Sequence, residues 1–221
     1  MRRAALLLAG LLAACAAPAP DVALDVGHNL AEPGAISASG VPEFQYNLAL
    51  ARRVRAALEA DGLRVHMIGD HGDITELRAR TKRARGARLF LSIHHDSVKG
   101  RLLPEAGRFS GFSLFVSHAN PHPAASLACA SAVGARLRAA GFAPSRYHAD
   151  PEVGEARPFA DEANGVHWFD DLAVAASATM PAVLVEAGVI VNPAEERRLA
   201  DPSVRERIAR AIAEGVEQCL S

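Results

Sequence analysis

Short apolar runs alternate with longer segments of helical period along most of the chain. Residues 22 to 27 form the first run and predict a buried strand, followed by a glycine-, serine- and proline-rich loop over 29 to 42. From Glu43 to about Ala60, the residues Phe44, Leu48, Ala51, Val54 and Leu58 recur on one helical face, and Gly62 suits the C-terminal stop. Arg64 to Ile68 predicts a second strand, and Ile74 to Ala84 a second helix capped by Asp73. Arg88 to Ile93 predicts a third strand, apolar throughout as a central strand covered on both faces should be. A polar insertion spans Lys99 to Ser110. Phe112 to Val116 predicts a strand and Pro123 to Ala140 an alanine-rich helix. Pro144 to Asp171 has weak periodicity and many acids and prolines, which predicts a long loop or a loop holding one short helix. Leu172 to Ala175 and Ala182 to Val185 predict two further strands, and Pro202 to Leu220 a closing helix. Strands trading places with helices in this order predict an α/β fold, a mainly parallel twisted sheet of about six strands sandwiched between helices.

Length and composition narrow the class. With 221 residues, half of them apolar and about a fifth charged, the chain suits one core of ordinary size. The formal net charge is −1, and without Arg2 and Arg3 the balance is 22 basic against 25 acidic residues, a net of −3. That leaves no electrostatic footprint for nucleic acid. Met1-Arg2-Arg3 followed by an apolar or small stretch over residues 4 to 14 reads as an export signal, too short to stay in a bilayer as a spanning helix. Its end, Leu12-Ala13-Ala14-Cys15, resembles the bacterial lipobox, in which the cysteine is lipidated and becomes the mature N-terminus. The expectation is therefore a signal peptide over 1–14, a tether over 15–20 and a single catalytic domain over 21–221. Such a protein is exported and anchored to a membrane through a lipid on Cys15, facing the periplasm or cell wall.

Two cysteines remain. An exported compartment permits a disulfide. Cys219 however continues the stripe Val204, Ile208, Ile212, Val216 at helical spacing, which predicts a small apolar core residue. A Cys129–Cys219 bridge is the less favoured alternative.

Four separated stretches carry candidate chemistry. They are Asp25-Val26-Gly27-His28, the helix start Glu43-Phe44-Gln45-Tyr46-Asn47-Leu48, Ser92-Ile93-His94-His95-Asp96 and Leu184-Val185-Glu186-Ala187-Gly188. Three of them lie where an apolar strand ends, the place where an open α/β sheet carries its ligand site. Two histidines and a carboxylate leave a tetrahedral zinc one open position, and a second carboxylate can serve as base. His28 is turned into the cleft by Gly27. Asp25 is placed either to accept the second imidazole N–H of His28 or to cap the neighbouring loop. Glu43 stands in a first helical turn, where an acid is favoured without any function, and Asn47 lies one turn on. Strand alternation sends His94 and His95 to opposite faces, so one of them reaches a given metal. His94 is the one chosen, with His95 and Asp96 as cleft or loop residues. The other histidines, His66, His71, His118, His122, His148 and His167, read as ordinary surface residues. Glu186 ends a run apolar on both faces, where a carboxylate costs several kcal/mol unless paired or metal-linked. It is read as the proton acceptor, against the alternative of an ion pair with Arg52 or Arg197.

With these residues the chain resembles the zinc-dependent N-acetylmuramoyl-L-alanine amidases, peptidoglycan hydrolases of the AmiA/AmiB/AmiC and CwlV type. The resemblance rests on Asp-x-Gly-His, then Pro33-Gly34-Ala35, the Glu-x-x-x-Asn-Leu helix start, Ser92-Ile93-His94, and Met180 to Gly188 followed by Asn192-Pro193. It runs from about Val22 to the C-terminus. It implies one catalytic Zn2+ on His28, Glu43 and His94, with Glu186 as the catalytic acid–base. The substrate it implies is peptidoglycan, cut at the amide between N-acetylmuramic acid and L-alanine. Asn29 and Leu30 stand where glycines usually follow the first histidine, and His95-Asp96 where the family has Ala-Asn, which alters the cleft floor. In some relatives an extra helix blocks the cleft. Residues 144 to 171, with Glu152, Glu155 and Glu162, occupy that region and predict a substrate-facing loop. Two alternatives stand beside this reading: another zinc amidohydrolase or carboxypeptidase acting on wall peptides, and a non-catalytic peptidoglycan-binding lipoprotein. A protein activator is left open.

Overall fold

In a computed structural model, which describes residues 18 to 221, most of the expected strands and helices recur within a seven-stranded sheet with helices on both faces. The leader and Cys15 lie outside the described residues. The strands are β1 (Val22–Val26), β2 (Val65–Ile68), β3 (Leu89–Asp96), β4 (Ser113–Val116), β5 (Phe159–Asp161), β6 (Val166–Trp168) and β7 (Ala182–Val189). Their spatial order is β2-β1-β3-β7-β4-β6-β5. Pairings within β2-β1-β3-β7 and between β4 and β6 are parallel, whereas β4–β7 and β5–β6 are antiparallel.

The helices are α1 (Glu43–Ala60), α2 (Leu77–Arg83), α3 (Pro123–Ala139), α4 (Ala173–Ser177), α5 (Pro193–Ala200) and α6 (Pro202–Leu220). One face of the sheet, with Leu24, Leu91, Ile93 and Val185, packs against α1, α3 and α6 through Leu50, Val54, Val133 and Ile212. The other face presents Ala23, Phe90, Phe115 and Leu184 to Ile74, Val174 and Ala175 of the α2 and α4 region. Burial on both faces explains why β1, β3 and β7 read as mainly apolar runs rather than alternating ones. Among the described residues, no helix is long and apolar enough to cross a membrane.

Several expectations are corrected. Leu172 to Ala175 is not a strand: Ala173–Ser177 forms a short helix whose end is tied down by Asn120, which donates to the carbonyls of Ala175, Ala178 and Met180. Four apolar residues fit either element, and the alanines tip the balance to helix. The stretch 144 to 171 holds a hairpin, β5 and β6, besides a single 3-10 turn at Tyr147–Ala149. Its turn contains Asn164-Gly165, an ordinary hairpin signal, with Asn164 donating to Asp161 Oδ2 at 2.7 Å. The sheet therefore has seven strands rather than about six. The polar insertion carries a 3-10 segment, Gly100–Arg108. A further helix, α5, starts at Pro193, and the side chain of Asn192 accepts from the N–H groups of Ala194 and Glu195.

Cys129 and Cys219 form a disulfide, with Cα atoms 5.0 Å apart. The stripe on α6 faces α3 rather than the sheet alone, so its last member meets Cys129 on the facing helix.

Candidate metal centre and catalytic cleft

The sheet ends bring His28, Glu43 and His94 together, with one ligand-capable atom from each lying within 4.8 Å of the others. His28 leaves β1 after Gly27 and adopts a left-handed backbone, φ 67°. His94 sits in β3, and its ring passes over Gly27, where a Cβ would lie 2.3 Å from ring atoms. Glu43 opens α1 and reaches across the strand ends. Its Oε2 lies 3.0 Å from His28 Nε2, and its Oε1 3.2 Å from His94 Nδ1. Gly34, at φ +79°, closes the near side, since a Cβ there would meet Glu43 Oε2 at 2.4 Å and the His28 ring at 2.7 Å.

Glu43 is ordered by more than the two imidazoles. Asn47 Nδ2 donates to Oε1 at 3.0 Å, the Ala35 N–H to Oε2 at 3.2 Å and the His95 N–H to Oε1 at 3.3 Å. Burial works to raise the Glu43 pKa, but the hydrogen bonds and charges of His28 and His94 outweigh it and hold the carboxylate well below its usual range.

Each remaining candidate has a definite place. His95 points to the α1 side, as alternation requires, and its Nδ1 lies 2.8 Å from Asn47 Oδ1. Asn47 spends its amide protons on Gly27 O and Glu43, so its Oδ1 accepts and His95 carries the Nδ1 proton. Burial keeps that imidazole neutral, with its pKa near 3. Asp25 does not orient His28 through the ring. It is paired with Arg80 at 2.8 Å and accepts from Ser92 Oγ at 2.7 Å, because its side chain points back under the sheet end toward α2. Asp96 is buried and accepts from Tyr147 OH and from His148 Nε2. His148 and His167 are buried, not surface residues, whereas His66, His71, His118 and His122 are exposed. The β5–β6 hairpin and the turn at Tyr147 fold over that end of the sheet, and this long-range packing leaves no local sequence signal.

Glu186 is paired in register with His94 of β3 and with Ser113 of β4. Paired residues of neighbouring strands project to the same face about 5 Å apart, so Glu186 stands beside the cluster. The residue is only half-buried, yet its Oε2 is sealed from solvent without a hydrogen-bond partner among the described residues. No ion pair with Arg52 or Arg197 forms; among the described residues Glu186 has no ion-pair partner. Burial first, then the charges of Asp96 and Glu43, push its pKa well above the ordinary carboxylate value, with Arg157 pulling the other way. A cleft of about 240 Å³ opens over it, walled by Asp96, Lys99, Tyr147, His148 and Arg157. The Arg157 guanidinium lies 3.5 Å from the centre of the Phe169 ring. On the other side of the cluster a second cleft of about 230 Å³ is walled by His28, His94, Thr75 and Leu77. No local sequence pattern marks Lys99, Tyr147 or Arg157 as a cleft residue, and His148 reads from sequence as a surface residue.

A family model described as N-acetylmuramoyl-L-alanine amidase matches residues 22–218. The chain is 31% identical to the N-acetylmuramoyl-L-alanine amidase AmiC of Neisseria meningitidis over 91% of its own length and 53% of that protein's. It is 30% identical to AmiA of Escherichia coli over 88% of its own length and 74% of that protein's. The chain thus spans about half the length of the first relative and three quarters of the second. Its fold is similar to the amidase Ami1 of Mycobacterium smegmatis, with a TM-score of 0.73 at 26% identity over 90% of this chain and 95% of that one. The catalytic domain of CwlV from Bacillus (Paenibacillus) polymyxa matches with a TM-score of 0.69 at 27% identity, over 89% and 96%. The chain belongs to the N-acetylmuramoyl-L-alanine amidase family.

Proposed function

We propose that this protein is a zinc-dependent peptidoglycan amidase that cleaves the bond between N-acetylmuramic acid and the L-alanine of the stem peptide. The observation that carries the reading is one placement. His28, Glu43 and His94 converge at the sheet end of a chain of this family, and Glu186 stands beside them with an Oε2 that is sealed from solvent and without a partner among the described residues.

The donor set fits zinc. Two imidazoles and one carboxylate are the ligand types of an open catalytic site. The glycine at position 34 leaves room where any side chain would strike both His28 and Glu43. The neutral His95 and Asn47 hold Glu43 from behind. A zinc ion held there supplies Lewis acidity, lowering the pKa of the attacking water and polarising the amide carbonyl.

The residues of the chain do the rest. Glu186 Oε2, a carboxylate oxygen sealed from water beside the cluster, with its pKa raised chiefly by burial, accepts the proton of the attacking water. It then delivers that proton to the nitrogen of the departing L-alanine. The products are a lactyl carboxylate on the muramic acid and a free stem peptide. Asp96, held by Tyr147 and His148, keeps one wall of the cleft fixed.

The Cys129–Cys219 disulfide supports an exported protein, since such bonds persist in oxidising compartments. Lipidation at Cys15 would hold the enzyme at a membrane beside its polymeric substrate.

Glu186→Gln tests the reading. The variant is expected to fold, retain its zinc and lose on the order of a hundred- to ten-thousand-fold in rate, read by mass spectrometry of purified muropeptides. New termini at a peptide–peptide bond would favour the carboxypeptidase alternative. Near-normal cleavage by the variant would move the base elsewhere.

A further inference from the structure

Arg80, in α2, is among the largest fully buried side chains of the protein. A guanidinium removed from water must find an acceptor for its N–H groups. Nη1 donates to Asp25 Oδ1 at 2.8 Å and to the carbonyl of Val26 at 2.6 Å. Nη2 donates to the carbonyl of Ile74 at 2.9 Å and to the carbonyl of His28. Asp25 is fixed in turn by Ser92 Oγ, which donates to its other oxygen at 2.7 Å. Three of the four acceptors are thus main-chain carbonyls, and two of these bracket the peptide units of Gly27 and His28.

That bracket falls where the backbone needs it. His28 has φ 67°, a left-handed conformation that side-chain-bearing residues keep only when their surroundings over-determine it. Nothing on the imidazole supplies this: His28 Nε2 faces Glu43, and the ring meets the His94 ring edge-on at 5.0 Å. The flanking N–H groups of Gly27 and Asn29 are bonded to the carbonyls of Ile93 and Glu32, and the carbonyls on either side are held from beneath by a cation that is itself locked by Asp25.

We propose that Arg80, braced by Asp25 and Ser92, is a positioning residue. It holds the His28 backbone in its left-handed turn and so sets the affinity of the His28–Glu43–His94 cluster for its metal. The inference rests on reading that cluster as a metal site. Arg80 touches no ligand atom, so its effect must pass through His28.

A double-mutant cycle on the full-length protein tests this. Zinc affinity is measured by competition with a chromophoric chelator for Arg80→Lys, in the wild-type and in the His28→Ala backgrounds, with folding followed by circular dichroism. Lysine keeps the charge but cannot reach four acceptors in a planar fork. Arg80→Lys is expected to weaken zinc binding roughly 10- to 100-fold, as removal of a ligand's supporting contacts does, and to weaken it hardly further once His28 is gone. The visible spectrum of the cobalt-loaded variant should move toward that of His28→Ala. Asp25→Asn, which preserves shape and leaves Arg80 in place, carries the same two-background comparison if Arg80→Lys fails to fold. Equal fold-loss in both backgrounds, or unchanged affinity in a folded variant, would overturn the inference alone. Wild-type protein that binds no zinc would overturn the metal-site reading and the inference with it.

Discussion

Opening the Cys129–Cys219 bond should destabilise the protein by a large and calculable amount. The bond joins residues 90 apart in sequence, so in the unfolded chain it closes a loop of that size. The chain-entropy relation then gives about 4.6 kcal/mol of stabilisation at 25 °C, against an observed range of roughly 2–5 kcal/mol for native disulfides. For a domain of this size each kcal/mol shifts the melting temperature by about 2–4 °C, so reduction should lower it by roughly 10–20 °C. The native contacts that the bond touches are few in kind: it links α3 to the last turn of α6, and the apolar packing of Val133 and Leu137 on Ile212 and Val216 survives its loss. The reduced protein should therefore still fold. The assay is thermal unfolding of metal-free protein with and without reductant, free thiols being counted in each sample so that zinc linkage does not enter. A Cys129→Ala/Cys219→Ala variant should melt with the reduced sample. Melting within about 2 °C of the oxidised protein, with both thiols shown to be free, would refute the entropy argument for this loop.

Metal analysis should find most zinc gone from His28→Ala and His94→Ala, each of which removes one of three donors, but retained in His95→Ala. Equal loss in all three would mean that the site lies on the other histidine of the pair. Because His95 is buried and bonded to Asn47, its alanine variant should instead lose about 1–3 kcal/mol of stability in urea. Burial raises the Glu186 pKa well above its ordinary 4.5, so in metal-free protein the folded state keeps a proton that the unfolded state releases above about pH 4.5. The stability due to this group is complete below that value and is lost as pH rises toward the raised folded pKa. Urea midpoints measured from about pH 5 to 8 should show Glu186→Gln gaining on wild type as pH rises, and parallel curves would contradict the burial argument. Cys15→Ser should leave the protein soluble or held by an uncut leader, and normal processing with persistent partition into detergent would rule out the lipid anchor.

The parts of this fold that were legible in the sequence are those with many repeats of one period. The bounds of α1 and α6, eighteen and nineteen residues long, coincide with the stripes that predicted them. β1, β3 and β7 are marked by mainly apolar runs, and His28, His94 and Glu186 lie within or just beyond the C-terminal halves of these strands. Where an element is four or five residues long the signal fails. The run at Leu172 satisfies strand and helix alike, and only its contacts with Asn120 and the second core decide. α5 opens on Asn192-Pro193, a cap followed by proline at the first helical position, but it carries too few apolar residues to show a stripe and no helix is expected there from periodicity. The stripe favours a core thiol at Cys219 over the disulfide that forms, because a helical stripe tells that a residue faces inward, not which neighbour it faces. The same limit hid the cleft wall. His148 looks like any loop histidine until the chain brings it to within 2.7 Å of Asp96, and Arg80 like any helix-surface arginine until it is seen beneath His28.

The register of β3 against β7 gives the site a length standard that no side chain can adjust. His94 and Glu186 are partners across a hydrogen-bonded ladder, and ladder spacing is a property of the peptide backbone, about 4.8 Å in every sheet. Side-chain substitutions around the cleft can therefore reshape what is bound without moving Glu186 relative to His94. Slippage is a different matter. Side chains alternate faces, so one residue inserted among Val183, Leu184 and Val185 would turn Glu186 toward Leu50 and Val54 and present an apolar residue to the cluster. The flanking apolar run opposes such a slip, because it would have to expose the same residues that bury the strand on both faces. The hydrophobic core thus acts as the proofreader of the active-site geometry, and mutations that loosen β7 far from the cleft are expected to appear as losses of chemistry before they appear as losses of fold.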